Sequence, residues 1–247
     1  MSQIISLGHP DGVNCSVSTV GATIMSCSYR DASMIYPLHL RADGKNRGGI
    51  PICFPYFGPP HPDFGEEMSQ HGWLRDQMLA VNQACHPYSE IMVGLGNSVK
   101  SYPWHLAYHV LHIVHDQMLQ THLTFCKTLD NSHGKAPVNP GFHHYFPNDG
   151  KTEVWIGNAC ITKFSADTRC IILKPKDVII INTGKLRMNM ILRGFDRETC
   201  LYLWSDDPAK YFCVEPVLMP KEQFKTEQGC YLSHDGVKEM SVALSIL

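Results

Sequence analysis

The stretch HLAYHVLHIVHDQMLQTHLTFCKTL, His105 to Leu129, indicates most directly what kind of fold this chain adopts. Its apolar positions suit two long strands better than one helix, because Val110–Leu119 does not sustain a helical face through the polar break at His115–Gln117. We therefore predict a β-hairpin that turns at this break.

Shorter segments on both sides of the hairpin are also typical of strands. They alternate in part or are rich in β-branched and aromatic residues, and they comprise Val13–Tyr29, Glu90–Leu95, Asp177–Asn182 and Cys200–Trp204. The sequence contains no internal repeat, low-complexity tract or long linker. We predict an all-β protein whose residues 1–247 form a single domain.

Composition excludes several classes of protein. The chain has 247 residues and 44% hydrophobic content, so it can bury a large core. Its formal net charge of -2 provides no overall positive electrostatic field that would attract the phosphates of a nucleic acid. No apolar run approaches the roughly 20 residues that span a bilayer, and the N-terminus does not resemble a signal peptide. The 10 cysteines occur singly, which favours free thiols and a cytoplasmic protein.

Two neighbouring segments carry more glycine, proline and paired polar residues than folding alone requires. They are RGGIPICFPYFG, which begins at Arg47, and QHGWLR, which contains Gln70, His71 and Arg75. Glycine and proline let the main chain turn and pass close to a ligand, while the polar side chains supply donors for oxygen-rich groups. A structural loop with solvated arginines explains the pattern equally well when it is considered alone.

Two later segments offer an acid and a base. In NPGFHHYF, a turn precedes His143 and His144, whose side chains point to opposite faces of a strand, so only one of them can enter a given pocket. In YFCVEP, Glu215 follows aromatic and apolar residues that would desolvate it and raise its pKa towards the range of a general base. A core histidine and a solvated strand-end glutamate are the structural alternatives.

In this order, the four segments resemble the galactose-mutarotase-like superfamily, and most closely its glucose-6-phosphate 1-epimerase branch. The resemblance extends from Arg47 to Pro216. It implies a large antiparallel β-sandwich, the galactose mutarotase-like supersandwich, with an open sugar cleft. It also implies the site roles: His143 as acid, Glu215 as base, and Arg47, Gln70 and Arg75 as substrate contacts, with His71 on the same wall and the two arginines suited to a phosphate.

The implied reaction is the interconversion of the α and β anomers of an aldose or a hexose 6-phosphate. Removing the C1 hydroxyl proton while protonating the ring oxygen opens the ring, and the reverse closes it as the other anomer, so the chemistry requires no cofactor and no metal. The chain lacks a clear counterpart of the acidic substrate-binding residue of its relatives, for which Asp177 is the candidate. Rings of Trp73, Tyr145 and Phe57 could stack on the sugar, although bulky rings of this kind are more often packed in the core.

Two other functions stay open from the sequence. One is a non-catalytic sugar-binding or regulatory protein on the same fold, which would not need an acid–base pair. The other is a metal-dependent isomerase that uses His61, His71, His143 or His144. For the epimerase interpretation we expect a small-molecule sugar or sugar phosphate as partner and a monomer or weak homodimer.

Overall fold

The computed structural model describes residues 2–9, 11–61, 64, 68–85, 89–93, 102–128, 134–195, 198–224, 231–232 and 236–247. In chain order the strands are β1 (Ile4–Gly8), β2 (Val13–Ser18), β3 (Ile24–Tyr29), β4 (Ala32–Ser33), β5 (His39–Leu40), β6 (Asn46–Arg47), β7 (Ile52–Cys53), β8 (Val81–Cys85), β9 (Ser89–Val93), β10 (Leu106–Val114), β11 (Met118–Lys127), β12 (Ala136–Pro137), β13 (Gly141–Phe142), β14 (His144–Pro147), β15 (Glu153–Ile156), β16 (Ala159–Ile161), β17 (Arg169–Ile172), β18 (Ile179–Asn182), β19 (Arg187–Arg193), β20 (Cys200–Trp204), β21 (Tyr211–Val217), β22 (Tyr231–Leu232) and β23 (Val237–Ile246). A 3₁₀ turn covers Leu74–Asp76, and the helix α1 covers Lys221–Phe224. Within these ranges, no helix has the length and apolar character that a membrane span requires.

The largest sheet has nine strands in the order β16-β15-β18-β19-β23-β11-β10-β9-β8. Its centre contains the predicted hairpin: β10 and β11 pair in antiparallel register from Leu106 with Lys127 to Val114 with Leu119. The His115 N–H donates to the Met118 carbonyl at 2.8 Å and closes the turn. The hairpin prediction is confirmed, although its last residue, Leu129, lies outside the described residues.

The other predicted strands also occur. Val13–Tyr29 contains β2 and β3, Asp177–Asn182 contains β18, Cys200–Trp204 coincides with β20, and Glu90–Leu95 overlaps β9, with its last two positions outside the described ranges. Pairing between the named strands is antiparallel throughout the three large sheets. The fold is therefore the predicted all-β, antiparallel β-sandwich.

A six-stranded sheet lies beside the core and carries the features that matter for function. Its order is β17-β20-β21-β13-β7, and β14 also pairs with β21. Alternation along β21 sends Phe212 and Val214 into the main hydrophobic core, whereas Tyr211 and Cys213 join a separate cluster on the opposite face. Glu215 follows the same alternation and belongs to this opposite face.

The main core joins all three large sheets. Buried side chains come from the four-stranded sheet β1-β2-β3-β4, from the inner face of the nine-stranded sheet and from the inner face of the six-stranded sheet; examples are Val17, Val110, Leu123, Phe146 and Phe212. Because the six-stranded sheet is anchored on this side by apolar packing, its other face is free to carry polar side chains on a rigid backbone.

Candidate active site

Glu215 and His143, far apart in sequence, meet on the outer face of the six-stranded sheet. The His143 Nε2 atom lies 3.5 Å from Glu215 Oε1. Glu215 sits inside β21, while His143 joins β13 to β14 and donates its backbone N–H to the Pro51 carbonyl at 3.0 Å. Both residues are buried, with 2% of Glu215 and 9% of His143 exposed.

The pair opens onto a cavity of about 750 Å³, within the range of roughly 300–1,000 Å³ typical of small-molecule sites. Six of the seven predicted site residues line it: Arg47, Gln70, His71, Arg75, His143 and Glu215. Asp177 does not. Its carboxylate accepts the Lys174 N–H at 2.9 Å in the loop before β18, and it is absent from the cavity wall.

Burial governs the protonation of the pair. It raises the pKa of Glu215 to about 8, and the positive charge of Lys221 offsets this only in part. Burial, followed by the charges of His71 and Arg75, lowers the pKa of His143 well below its ordinary value. Between the two pKa values the pair therefore holds one exchangeable proton and carries no net charge. Transfer of that proton from Glu215 to His143 gives the ion pair without changing the net charge.

His71 is held as a neutral donor beside the pair. Its backbone has φ of 68°, and its Nδ1 accepts the Gly58 N–H at 3.1 Å. Burial, then the charges of Arg75 and Lys221, lowers its pKa to about 3, so the neutral ring carries its proton on Nε2. The Gln70 Nε2 atom is placed 3.2 Å from the His71 Nε2. Because two N–H donors cannot bond to each other, this tautomer requires the Gln70 amide to be turned so that its oxygen accepts from His71.

Aromatic rings shape the cavity around the pair. The Tyr145 ring stacks on His143 with centroids 4.6 Å apart and planes 9° apart, and Phe57 stacks on Tyr202 at 5.0 Å. Both Tyr145 and Phe57 line the cavity, and both are largely buried. Trp73 instead packs in the core, 4.8 Å from the Tyr102 ring, and Trp204 takes a place in the cavity wall.

The sequence did not reveal three polar residues at or behind this wall. Asp206 binds the Arg47 guanidinium, with Nη2–Oδ2 at 2.7 Å, from a position just beyond the cavity. Lys45 and Lys221 line the cavity itself. Asp206 ends an aromatic strand in LYLWSD much as Glu215 occurs in YFCVEP, so the same signal was present. Nothing in the local sequence indicates the role of Lys221.

A metal ion would have to use a donor set that the acid–base pair already occupies. Over the described residues, the one group of three potential ligands within 4.8 Å of one another is His143, Cys213 and Glu215. Burial raises the pKa of the Cys213 thiol and of the Glu215 carboxyl, which opposes the deprotonation that metal binding requires. Of the other histidines considered, His144 stacks on Phe146 at 6.1 Å, away from the cavity.

His61 likewise does not line the cavity. Its ring packs against Phe64 and Phe224, with centroids 5.4 Å and 5.3 Å away. The histidines proposed for a metal-dependent isomerase are therefore divided between the cavity and the core.

Comparisons with known proteins identify the family of the chain. A model of the aldose 1-epimerase family matches residues 3–167. The "Putative glucose-6-phosphate 1-epimerase" of Escherichia coli (strain K12) is 23% identical over 255 residues, which cover 90% of this chain and 80% of that protein.

Solved structures share the fold. The Slr1438 protein of Synechocystis sp. PCC 6803 superposes with a TM-score of 0.80 and 16% identity, covering 99% of this chain and 95% of its own. The galactose mutarotase related enzyme of Lactobacillus acidophilus superposes with a TM-score of 0.79 and 14% identity, covering 99% and 97%. The β-sandwich expected from the four sequence segments is the fold of these proteins.

Proposed function

The chain belongs to the aldose 1-epimerase family, and we propose that it interconverts the α and β anomers of an aldose or a hexose 6-phosphate. The observation that carries this proposal is the buried His143–Glu215 pair, 3.5 Å apart and facing a cavity of about 750 Å³. A protein that only binds sugar has no need to bury an imidazole and a carboxyl group against each other, since the desolvation destabilises the fold.

Ring opening needs one proton removed and one supplied. The ionised Glu215 carboxylate takes the proton of the C1 hydroxyl while the protonated His143 gives a proton to the ring oxygen. The bond between C1 and the ring oxygen then breaks and leaves an open-chain aldehyde. Rotation about C1–C2 presents the other carbonyl face, and the same two groups in reverse close the ring. No electrons are gained or lost, and the pair ends in its starting state.

Because the two groups share one proton, the reactive ion pair forms without gaining or losing a proton. The two groups carry one proton between them, and the ionised carboxylate with a protonated imidazole is a tautomer of the same state. The sugar hydroxyls that replace water in the cavity can hydrogen-bond to both ions. Lys221 adds a positive charge that lowers the pKa of Glu215 and so favours its ionised form.

We further propose a phosphorylated substrate. The Escherichia coli relative bears the name of a glucose-6-phosphate 1-epimerase, and four cationic side chains line the cavity of this chain: Lys45, Arg47, Arg75 and Lys221. A neutral aldose needs no such charge, whereas a phosphate is recognised by arginine and lysine donors. Gln70 and His71 supply neutral hydrogen-bonding groups for the sugar hydroxyls.

The test is anomer exchange, followed by NMR or polarimetry on glucose and glucose 6-phosphate. His143→Ala and Glu215→Ala should each lower kcat/KM by about 10²- to 10⁴-fold, because each removes one of the two proton-transfer groups. Circular dichroism should show both variants folded.

A second histidine–glutamate pair provides matched controls. His122 Nδ1 lies 3.3 Å from Glu239 Oε1, and neither residue lines the cavity. His122→Ala and Glu239→Ala should keep full activity. Wild-type exchange rates in either His143→Ala or Glu215→Ala would reject the proposed mechanism.

A further inference from the structure

Arg47, one of the two arginines expected to bind a phosphate, already forms an ion pair with a carboxylate. Its Nη2 lies 2.7 Å from Asp206 Oδ2, and its Nε lies 3.1 Å from the same oxygen. The guanidinium also stacks over the Trp204 ring at 5.3 Å. This pairing uses donors that a phosphate would need, and it holds the side chain against the wall with 16% of its surface exposed.

The charges around Arg47 cancel. Arg41 Nη1 lies 3.1 Å from Asp206 Oδ2, and Arg41 Nη2 lies 3.3 Å from Asp43 Oδ2. Two arginines thus face two aspartates, so the cluster contributes almost no net field to the cavity. Arg47 can still donate a directional hydrogen bond to a sugar hydroxyl, but it is a poor anchor for a dianion.

Lys221 presents a charge that is much less compensated. Its aliphatic stem packs against Gly58, since its Cβ and Cδ lie 3.5 Å from where a β-carbon of that glycine would stand. Its ammonium lies 5.5 Å from the centre of the Tyr202 ring. The nearby carboxylate, Glu222 Oε1, is 4.0 Å away on a side chain that is 68% exposed, so that pairing is weak.

Arg75 resembles Lys221 in this respect and also lines the cavity. Its Nε is 3.9 Å from Asp76 Oδ2, which is likewise 68% exposed. The connection to Lys221 runs through His71: Gly58, which packs against Lys221, donates its N–H to His71 Nδ1 at 3.1 Å. The charges of both Arg75 and Lys221 act on the His71 ring and help to lower its pKa.

We propose that Arg75 and Lys221, rather than Arg47 and Arg75, form the anion-binding end of the cavity and hold the phosphate of a hexose 6-phosphate. Arg75 offers a planar pair of donors, and Lys221 offers a mobile point charge beside it. Asp206 keeps Arg47 in the wall as a hydroxyl donor. This inference rests on the proposed epimerase function and adds to it the residues that distinguish a phosphorylated from a free sugar.

The test compares kcat/KM for glucose 6-phosphate with kcat/KM for glucose in a set of variants. Lys221→Met and Arg75→Met should each lower the ratio of the two values at least tenfold, the usual effect of losing one charged hydrogen bond of about 1.4 kcal/mol or more. Taking the ratio removes any effect of Lys221 on the pKa of Glu215, because both substrates depend on Glu215 equally.

Two controls distinguish specific phosphate binding by Arg75 and Lys221 from a non-specific effect of positive charge. Lys185→Met removes an exposed lysine that does not line the cavity and should leave the ratio unchanged. The double variant Arg47→Met with Asp206→Asn removes both charges of the Arg47–Asp206 ion pair, so neither residue is left as an unpaired charge. It should lower kcat/KM for glucose and for glucose 6-phosphate by a similar factor. A selective loss of glucose 6-phosphate in either control, or an equal loss of both sugars in Lys221→Met, would overturn the inference.

Calorimetric binding of inorganic phosphate separates the failure of this inference from failure of the proposed function. The wild-type protein should bind phosphate at least tenfold more tightly than Lys221→Met, whether or not it turns over a sugar. A wild type that binds phosphate no better than Lys221→Met contradicts the anion-binding end, even if the protein proves to be an active epimerase. A wild type that binds phosphate but exchanges the anomers of neither sugar contradicts the enzyme proposal alone.

Discussion

At the scale of single residues, the site depends on two groups whose ordinary pKa values have been displaced in opposite directions. Burial raises the pKa of Glu215 to about 8 and lowers that of His143. Between those two values the pair carries one proton, which is the number that the proposed reaction needs. Above them it carries none, and below them it carries two.

This protonation predicts the pH profile. We expect kcat/KM for glucose, after subtraction of the spontaneous rate, to fall as the pH rises through about 8, because Glu215 and His143 then lose their shared proton. On the acid side activity should persist to well below pH 6.5 and decline only when His143 also becomes protonated. Glucose is the suitable substrate, since a phosphate would add its own titration. A rate that stays constant from pH 7 to 9.5 would contradict the assignment.

The residue scale also shows where prediction from sequence reached its limit. The local setting indicated Glu215 and one of His143 and His144, and the resemblance to the galactose-mutarotase-like superfamily selected His143. The pairing of Arg47 with Asp206 could not be found that way, because the two residues are 159 positions apart and belong to different sheets: Arg47 lies in β6, which pairs with β5, and Asp206 follows β20 of the six-stranded sheet. The sequence likewise offered Asp177 as an acidic candidate on type alone, and the structure places it in a surface turn.

At the scale of elements, local periodicity was sufficient where one face of a strand is buried. Alternation in β10 and β11 predicted the central hairpin, and β20 matched its predicted bounds. Short elements escaped prediction: β6 has two residues, yet it carries Arg47 into the cavity wall by pairing with β5. Such elements depend on turns and neighbours, which leave little pattern in the chain.

The turns beside β6 give a test at this scale. Gly48 has φ of 103°, and a β-carbon there would lie 2.1 Å from the Pro37 carbonyl oxygen. Gly48→Ala should therefore lower the free energy of unfolding by roughly 2–4 kcal/mol and reduce anomer exchange by displacing Arg47. The measurements are urea unfolding and the exchange rate.

Gly44, in the turn before β6, is the matched control. Its φ of 78° is also positive, but nothing lies within 4 Å of the position of an added β-carbon. Gly44→Ala should cost only the backbone strain, about 1–2 kcal/mol, and should leave the exchange rate near that of the wild type. Equal losses of stability from the two substitutions would contradict the role given to close packing at Gly48.

At the scale of the whole molecule, the fold accommodates its reactive pair at a cost in stability. A buried carboxyl with a raised pKa keeps its proton when folded and loses it when unfolded, so the folded state is favoured less as the pH rises between the two pKa values. The rest of the sandwich offsets this with apolar packing shared by three sheets. The single domain and the monomer or weak homodimer stay predictions from the sequence.

Glu215→Gln should reveal this cost. Glutamine has nearly the same shape and cannot ionise, so the variant should be as stable as the wild type near pH 4.5. Its advantage should grow as the pH rises and should level off above about pH 8. Each pH unit in that window contributes up to about 1.4 kcal/mol, which thermal unfolding at several pH values would detect.

Glu239→Gln serves as the control, because the Glu239 side chain is 66% exposed and its charge stays solvated in both states. Its melting temperature should follow that of the wild type across the same pH range. If the Glu215→Gln advantage does not change with pH, the buried carboxyl is not the source of the cost.

The acid–base pair comes from paired strands and the single residue that joins two of them, whereas Arg75 and Lys221 come from a 3₁₀ turn and a four-residue helix. Peripheral segments of that kind can be exchanged more freely than the interior of a sheet. Proton transfer and substrate selection thus depend on different structural elements. Replacing the 3₁₀ turn and α1 could therefore change which sugars the cavity accepts while leaving the proton-transfer pair intact.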